Sequence, residues 1–200
     1  MYGSKTSLAD KATAAANSVD GAAAQAWFEA RGWDFAEDLL GHYLGNNDAG
    51  FIYEISDSNF KKAVETDDVK GKIESCLGWI KSQARENPEI GVKNRDISTG
   101  WVGAGPTENE DVENALGHFD VAVGSDTTVY EADGGFRAEI TYKVYIHENY
   151  NFEKLKPKFG SLNIGVDINN EMRQLEEAGW ARSFRVHGET AGVEHWSGMI

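Results

Sequence analysis

The chain has 200 residues and a formal charge of −14 at pH 7, from 33 acidic and 19 basic side chains. Such a surface repels phosphate backbones, so no nucleic-acid partner is expected, and the one dense basic run, Lys154, Lys156 and Lys158, reads as a solvated loop. A single cysteine, Cys76, allows neither an internal disulfide nor a Cys-rich zinc site. An apolar share of 40%, with six Trp, seven Tyr and nine Phe, is enough for a core. No apolar run approaches the ~20 residues that span a bilayer, so no transmembrane segment is expected, which leaves peripheral membrane contact open. No signal peptide is visible, so export would use another route or a larger carrier protein.

Residues 1–20 are small and polar and read as a flexible segment, becoming helical near Ala22. A short helix Ala22–Arg31 should end at Gly32. From an Asp34 cap, Phe35, Ala36, Leu39, Leu40, Tyr43 and Leu44 form a broad helical stripe, with Gly45 placed to close it. Phe51–Ile55 is a strand candidate. One helix capped at Asp57 or Ser58 runs through Phe60 and Val64. The next, capped at Asp67 or Asp68, carries Val69, Ile73, Cys76, Leu77, Ile80 and Ala84 on one stripe and stops at Asn87-Pro88. Glu89–Gly105 reads as an irregular loop, and Thr107–Gly117 contains a short acidic helix.

The stretch from His118 to Phe152 organises the rest. Phe136, Ala138, Ile140, Tyr142, Val144 and Ile146 alternate with Arg137, Glu139, Thr141, Lys143, Tyr145 and His147, which predicts a long strand with one buried and one wet face. Asp133-Gly134 suits a two-residue hairpin turn. Thr127–Glu131 is the partner strand, and His118–Gly124 a third, so an antiparallel meander is expected. Asp167 or Asn169 should open a last helix with Ile168, Met172, Leu175 and Ala178 inward and Gly179 at its end. Ser183–His187 is a final strand. Helices followed by strands, then one helix and one strand, predict an α+β fold. Its antiparallel, partly closed sheet would pack against an N-terminal helical region (21–105) and one C-terminal helix. Residues 106–200 would hold the sheet, and 21–200 would form one compact domain.

No phosphate loop, nucleophile elbow or zinc-protease helix is present. The candidates for chemistry are therefore histidines and carboxylates. His147, Glu148 and Tyr150 end the long strand, where side chains can converge: a base, a carboxylate and a phenol. Glu148 and Tyr150 share a face, and His147 joins them only where a bulge follows Ile146. His118 and Asp120, two apart on a strand, are the second choice. His187 with Glu189, and Glu194-His195 beside Trp196, read as surface strand residues or caps. His42 reads as a packed histidine. No pattern names a cofactor or a metal-ligand set.

Gly32–Gly45, Ala115–Gly124, Tyr142–Phe152 and Leu175–Glu189 resemble C-terminal toxin domains of secreted bacterial polymorphic toxins, including those on Rhs-type and VgrG-type carriers. That resemblance implies delivery to another cell as part of a larger protein, and a cognate immunity or carrier partner. The strand end Glu148-Asn149-Tyr150-Asn151 is also similar to the Asp-x-Tyr-Asp of colicin M-type lipid II phosphodiesterases. Asn151 replaces that family's second acid, and its His-Arg pair falls on Pro157 and Lys158. Lipid II cleavage is accordingly not the leading reading. Two functions are expected from the sequence: an antibacterial toxin domain acting at the cell envelope or membrane, or a non-catalytic binding module or acidic immunity-like partner.

Overall fold

The computed structural model describes residues 2–47, 50–152 and 164–200. The Lys154, Lys156 and Lys158 run, and the Pro157 and Lys158 positions, lie outside the described residues. Six helices and seven strands are present among the described residues: α1 (Leu8–Arg31), α2 (Asp34–Leu44), β1 (Ile52–Glu54), α3 (Asp57–Val64), α4 (Asp67–Glu86), β2 (Arg95–Asp96), β3 (Val102–Ala104), α5 (Glu110–Leu116), β4 (Phe119–Ala132), β5 (Gly135–Tyr150), α6 (Ile164–Ala178), β6 (Phe184–Glu189) and β7 (Glu194–Met199). The fold is α+β, as expected. The sheet runs β1-β6-β5-β4-β2, with β3 also on β4 and β7 also on β5. It is open and mixed, whereas a partly closed antiparallel sheet was expected.

Two compact units divide the chain, and neither follows the expected division at 105/106. The first holds Met1–Tyr53, Glu110–Leu116 and Asn149–Val186; the second holds Glu54–Asn109, Gly117–Glu148 and His187–Ile200.

In the first unit, α1 begins fourteen residues before Ala22, so most of the segment expected to be flexible is helical. Its start is stabilised by a capping box. The Ser7 hydroxyl accepts from Asp10 N, and the Asp10 carboxylate accepts from Ser7 N. Ala14, Asn17 and Gly21 form its buried stripe. A Cβ on Gly21 would stand 3.0 Å from Leu44 and 3.3 Å from Met172, so a bare backbone lets α2 and α6 approach. In the α2 stripe Phe35, Ala36, Leu39, Leu40 and Tyr43 are buried and Leu44 is half-buried, and Tyr43 Oη donates to Met172 O at 2.9 Å. Gly45 is right-handed, and the positive φ falls on Asn46 instead. The last helix opens at Ile164, ahead of the caps expected at Asp167 or Asn169. Met172 and Leu175 are buried in it.

In the second unit, α4 packs on β4 through Val69, Cys76, Ile80 and Ala84. Ser56 and Thr66 occupy the N-cap positions of α3 and α4, each one residue ahead of the first residue expected to cap. The loop expected at Glu89–Gly105 contains β2 and β3, both antiparallel to β4. The expected meander is one hairpin: β4 is continuous and pairs with β5 from Asp120↔His147 to Ala132↔Gly135. Ser125-Asp126, expected to lie between the two strands, is part of β4. Ser125 and Thr127 are buried and satisfied, with Ser125 Oγ donating to Ile97 O at 2.8 Å and lying 3.2 Å from Thr127 Oγ1. Asp133-Gly134 makes the two-residue turn, with Gly134 at φ 87°. β7, unforeseen, extends the sheet beside β5.

Candidate functional site

The second unit carries a polar cluster on the wet face of β3, β4 and β5. Register places Gly103 opposite Asp120, and Asp120 opposite His147, so the three form one row across three strands. Facing residues in antiparallel strands have Cβ atoms about 5 Å apart, so Asp120 and His147 are cross-strand neighbours on this face, although no hydrogen bond or ion pair joins their side chains. Gly103 adds no side chain to the row; a Cβ there would be 3.9 Å from Asp120 Oδ1. The exposed Trp101 indole lies against the His147 ring, with centroids 5.6 Å apart. The His118 ring lies over Gly105, where a Cβ would come within 2.7 Å of it. Gly105 N is held by Asp68 Oδ2 at 2.8 Å.

Two bare glycines therefore leave a floor on which His118, Asp120, His147 and Trp101 stand. An imidazole and a carboxylate side by side are the residue types that acid–base chemistry uses, and the Trp101 indole packs beside the imidazole. No group of three His, Cys, Asp or Glu side chains among the described residues is arranged to hold a metal ion.

This cluster joins His147, from the first-choice trio, to His118 and Asp120, the second choice. It does not hold the trio together. Strand β5 runs unbroken to Tyr150, so the bulge needed to turn His147 toward the others is not formed. Glu148 alternates to the opposite face from His147 and is half-buried. Tyr150 belongs to an aromatic cluster of the first unit. Its ring stacks on Phe184 at 5.1 Å and meets Tyr43 at 5.9 Å and Phe152 at 5.5 Å. Burial pushes its phenol well above the ordinary value, which keeps it neutral. That environment is a packing environment.

The remaining histidines are placed as the sequence suggests. His42 is enclosed by Phe51, Tyr53 and Phe184, and burial lowers its pKa. His187 Nδ1 pairs with Glu54 at 2.9 Å, and Glu189 with Lys143 at 2.7 Å. His195 lies 3.4 Å from the Thr141 hydroxyl in a shallow cavity of about 400 Å³ between β5 and β7. Trp101, Gly103 and Gly105 lie in a stretch whose glycines read as loop, so the sequence alone does not mark them as site elements. The alternation of Trp101, Gly103 and Gly105 with Val102 and Ala104 is the pattern that could have revealed β3.

No protein-family model and no curated protein matches the chain. Among solved structures, it is similar to PaeM, a colicin M-like bacteriocin produced by Pseudomonas aeruginosa, with a TM-score of 0.50 and 11% identity. The likeness covers 82% of this chain and 51% of that one, so the chain spans about half the length of the bacteriocin structure. At that identity the likeness is one of fold.

Proposed function

We propose that this chain is an antibacterial toxin domain that acts at the cell envelope and is secreted or delivered as part of a larger protein. The observation that carries the reading is the fold likeness to a colicin M-like bacteriocin over most of the chain. The acidic surface agrees with it, because a charge of −14 disfavours a nuclease. A cognate immunity protein is the expected partner. The His147–Asp120 pair is the acid–base centre of this proposal, His118 lies beside it, and Trp101 is its wall. Glu148 is the alternative carboxylate. Lipid II cleavage by the colicin M-type motif does not form part of the proposal, since Asn151, Pro157 and Lys158 replace an acid, a histidine and an arginine.

The test is inducible expression in a bacterium, with and without a periplasmic export signal. Growth arrest only with export supports the reading, and harmless growth in both compartments favours an acidic binding partner. Within a toxic parent, His147→Ala and Asp120→Asn should each restore growth while the circular dichroism spectrum is retained. If both variants fold and kill like the parent while Glu148→Gln does not, the centre lies on the opposite face of β5.

A further inference from the structure

The end of α1 carries a feature that neither the fold nor the proposed centre uses. Gly32, at φ 69°, turns the chain out of the helix, with Gly32 N donating to Glu29 O at 2.9 Å and Trp33 N to Phe28 O at 3.0 Å. That turn folds Trp33 back onto Trp27. The two indoles meet edge to face, with centroids 4.9 Å apart and planes at 89°, and Phe28 lies 5.6 Å from one and 5.9 Å from the other. Two perpendicular π-faces make a corner that attracts a cation from both sides. The corner is filled by the chain's own Arg31, whose Cζ lies 4.2 Å from the Trp27 ring centroid and 4.9 Å from that of Trp33. Arg31 is exposed, and Trp27 retains 47% of its surface in water. Ordinary helix capping explains the Gly32 turn. It does not explain two large indoles held at right angles on the surface.

We propose that the Trp27–Trp33 corner is a seat for the guanidinium of an arginine presented by a basic partner protein, and that Arg31 occupies the seat in the free protein. The occupant already present shows that a planar guanidinium fits. A chain of charge −14 draws basic surfaces toward it, and Trp and Arg are the residues that most often dominate binding energy at protein interfaces. Arg31 need only rotate outward, because its guanidinium is held by stacking at the surface.

The probe is N-acetyl-arginine amide, followed through the indole N–H signals of Trp27 and Trp33 by NMR. Each exposed cation–π contact is worth about 0.5–1 kcal/mol, so removing the internal competitor in Arg31→Ala should tighten binding roughly two- to fivefold over the parent. The double variant Arg31→Ala/Trp33→Ala should show no saturable shift at Trp27. Dichroism checks that α1 is intact in both. The proposal is overturned if Arg31→Ala shows no saturable indole shift, or if the shift survives loss of Trp33. It is also overturned if choline saturates the signals at much lower concentration than the arginine amide, since the seat would then select methylated ammonium groups.

Discussion

Ile140 shows at the scale of one residue what the alternation of β5 means. It is 1% exposed, while its neighbour Glu139 stands in water and accepts a hydrogen bond from Tyr130 Oη at 3.1 Å. Ile140→Asp buries a carboxylate with no partner and should destabilise by about 4 kcal/mol, whereas Glu139→Ile should stay within about 0.5 kcal/mol. Thermal melts of the two variants check this, and equal melting points would reverse the faces. His42 supplies a pH dependence. Its pKa is lowered by burial, so the unfolded chain binds the proton more readily than the folded one. The stability contributed by neutral His42 is present above the unfolded value near 6.5 and is lost as pH falls through the lower folded value. Melting temperature should therefore drop on acidification below about pH 6.5, and the drop should shrink in His42→Phe. Both faces of β5 and the packing of His42 were legible in the sequence, because alternation and helical stripes are local patterns. The row of Gly103, Asp120 and His147 was not, because a register between strands that are distant in sequence leaves no local mark.

At the scale of elements, composition misled where tertiary partners decide. The first twenty residues are small and polar, yet α1 forms because one narrow stripe of small residues fits against α2 and α6. The segment before it is also tied down. Gly3 N donates to Glu176 O at 3.0 Å and Lys5 N to Glu177 O at 2.8 Å, which satisfies carbonyls at the open end of α6. Lys5 Nζ pairs with Glu177 at 2.6 Å, and Arg182 stacks on Tyr2 at 3.8 Å. Ser7→Ala removes the capping hydroxyl that begins α1 and should cost about 1 kcal/mol, read from denaturant midpoints at unchanged slope. Removing residues 2–5 should cost more, since it leaves α6 carbonyls without these donors and Glu177 without Lys5. A deletion that leaves the midpoint unchanged would show that water replaces these contacts without loss. In β4 the difference has the opposite sense: Ser125-Asp126 reads as a gap between two strands, but the Ser125 hydroxyl donates to Ile97 O just beyond β2, and the strand is continuous. β7 escaped notice because its alternation is interrupted by glycine and its inward residues are few.

For the whole molecule, the charge of −14 sets an expectation opposite to that of its ion pairs. Lys143–Glu189 and Arg173–Glu177 are held at 2.7 and 3.1 Å, and salt weakens such pairs. Lys143–Glu189 is partly exposed and such pairs contribute only about 0–1 kcal/mol, while the largely buried Arg173–Glu177 is screened less. The excess of 33 acidic over 19 basic groups repels itself throughout the folded chain, and that repulsion relaxes on unfolding. Raising ionic strength from about 0.01 M to 0.15 M shortens the screening length from roughly 30 Å to 8 Å, which acts on many distant like-charged pairs and few close opposite ones. Melting temperature at pH 7 should therefore rise with sodium chloride over that range. The rise should diminish toward pH 4, where protonation of carboxylates removes the excess charge. A melting temperature that falls with salt at pH 7 would mean that the local ion pairs outweigh the global repulsion, and Lys143→Ala and Arg173→Ala would then be the variants that abolish the salt effect.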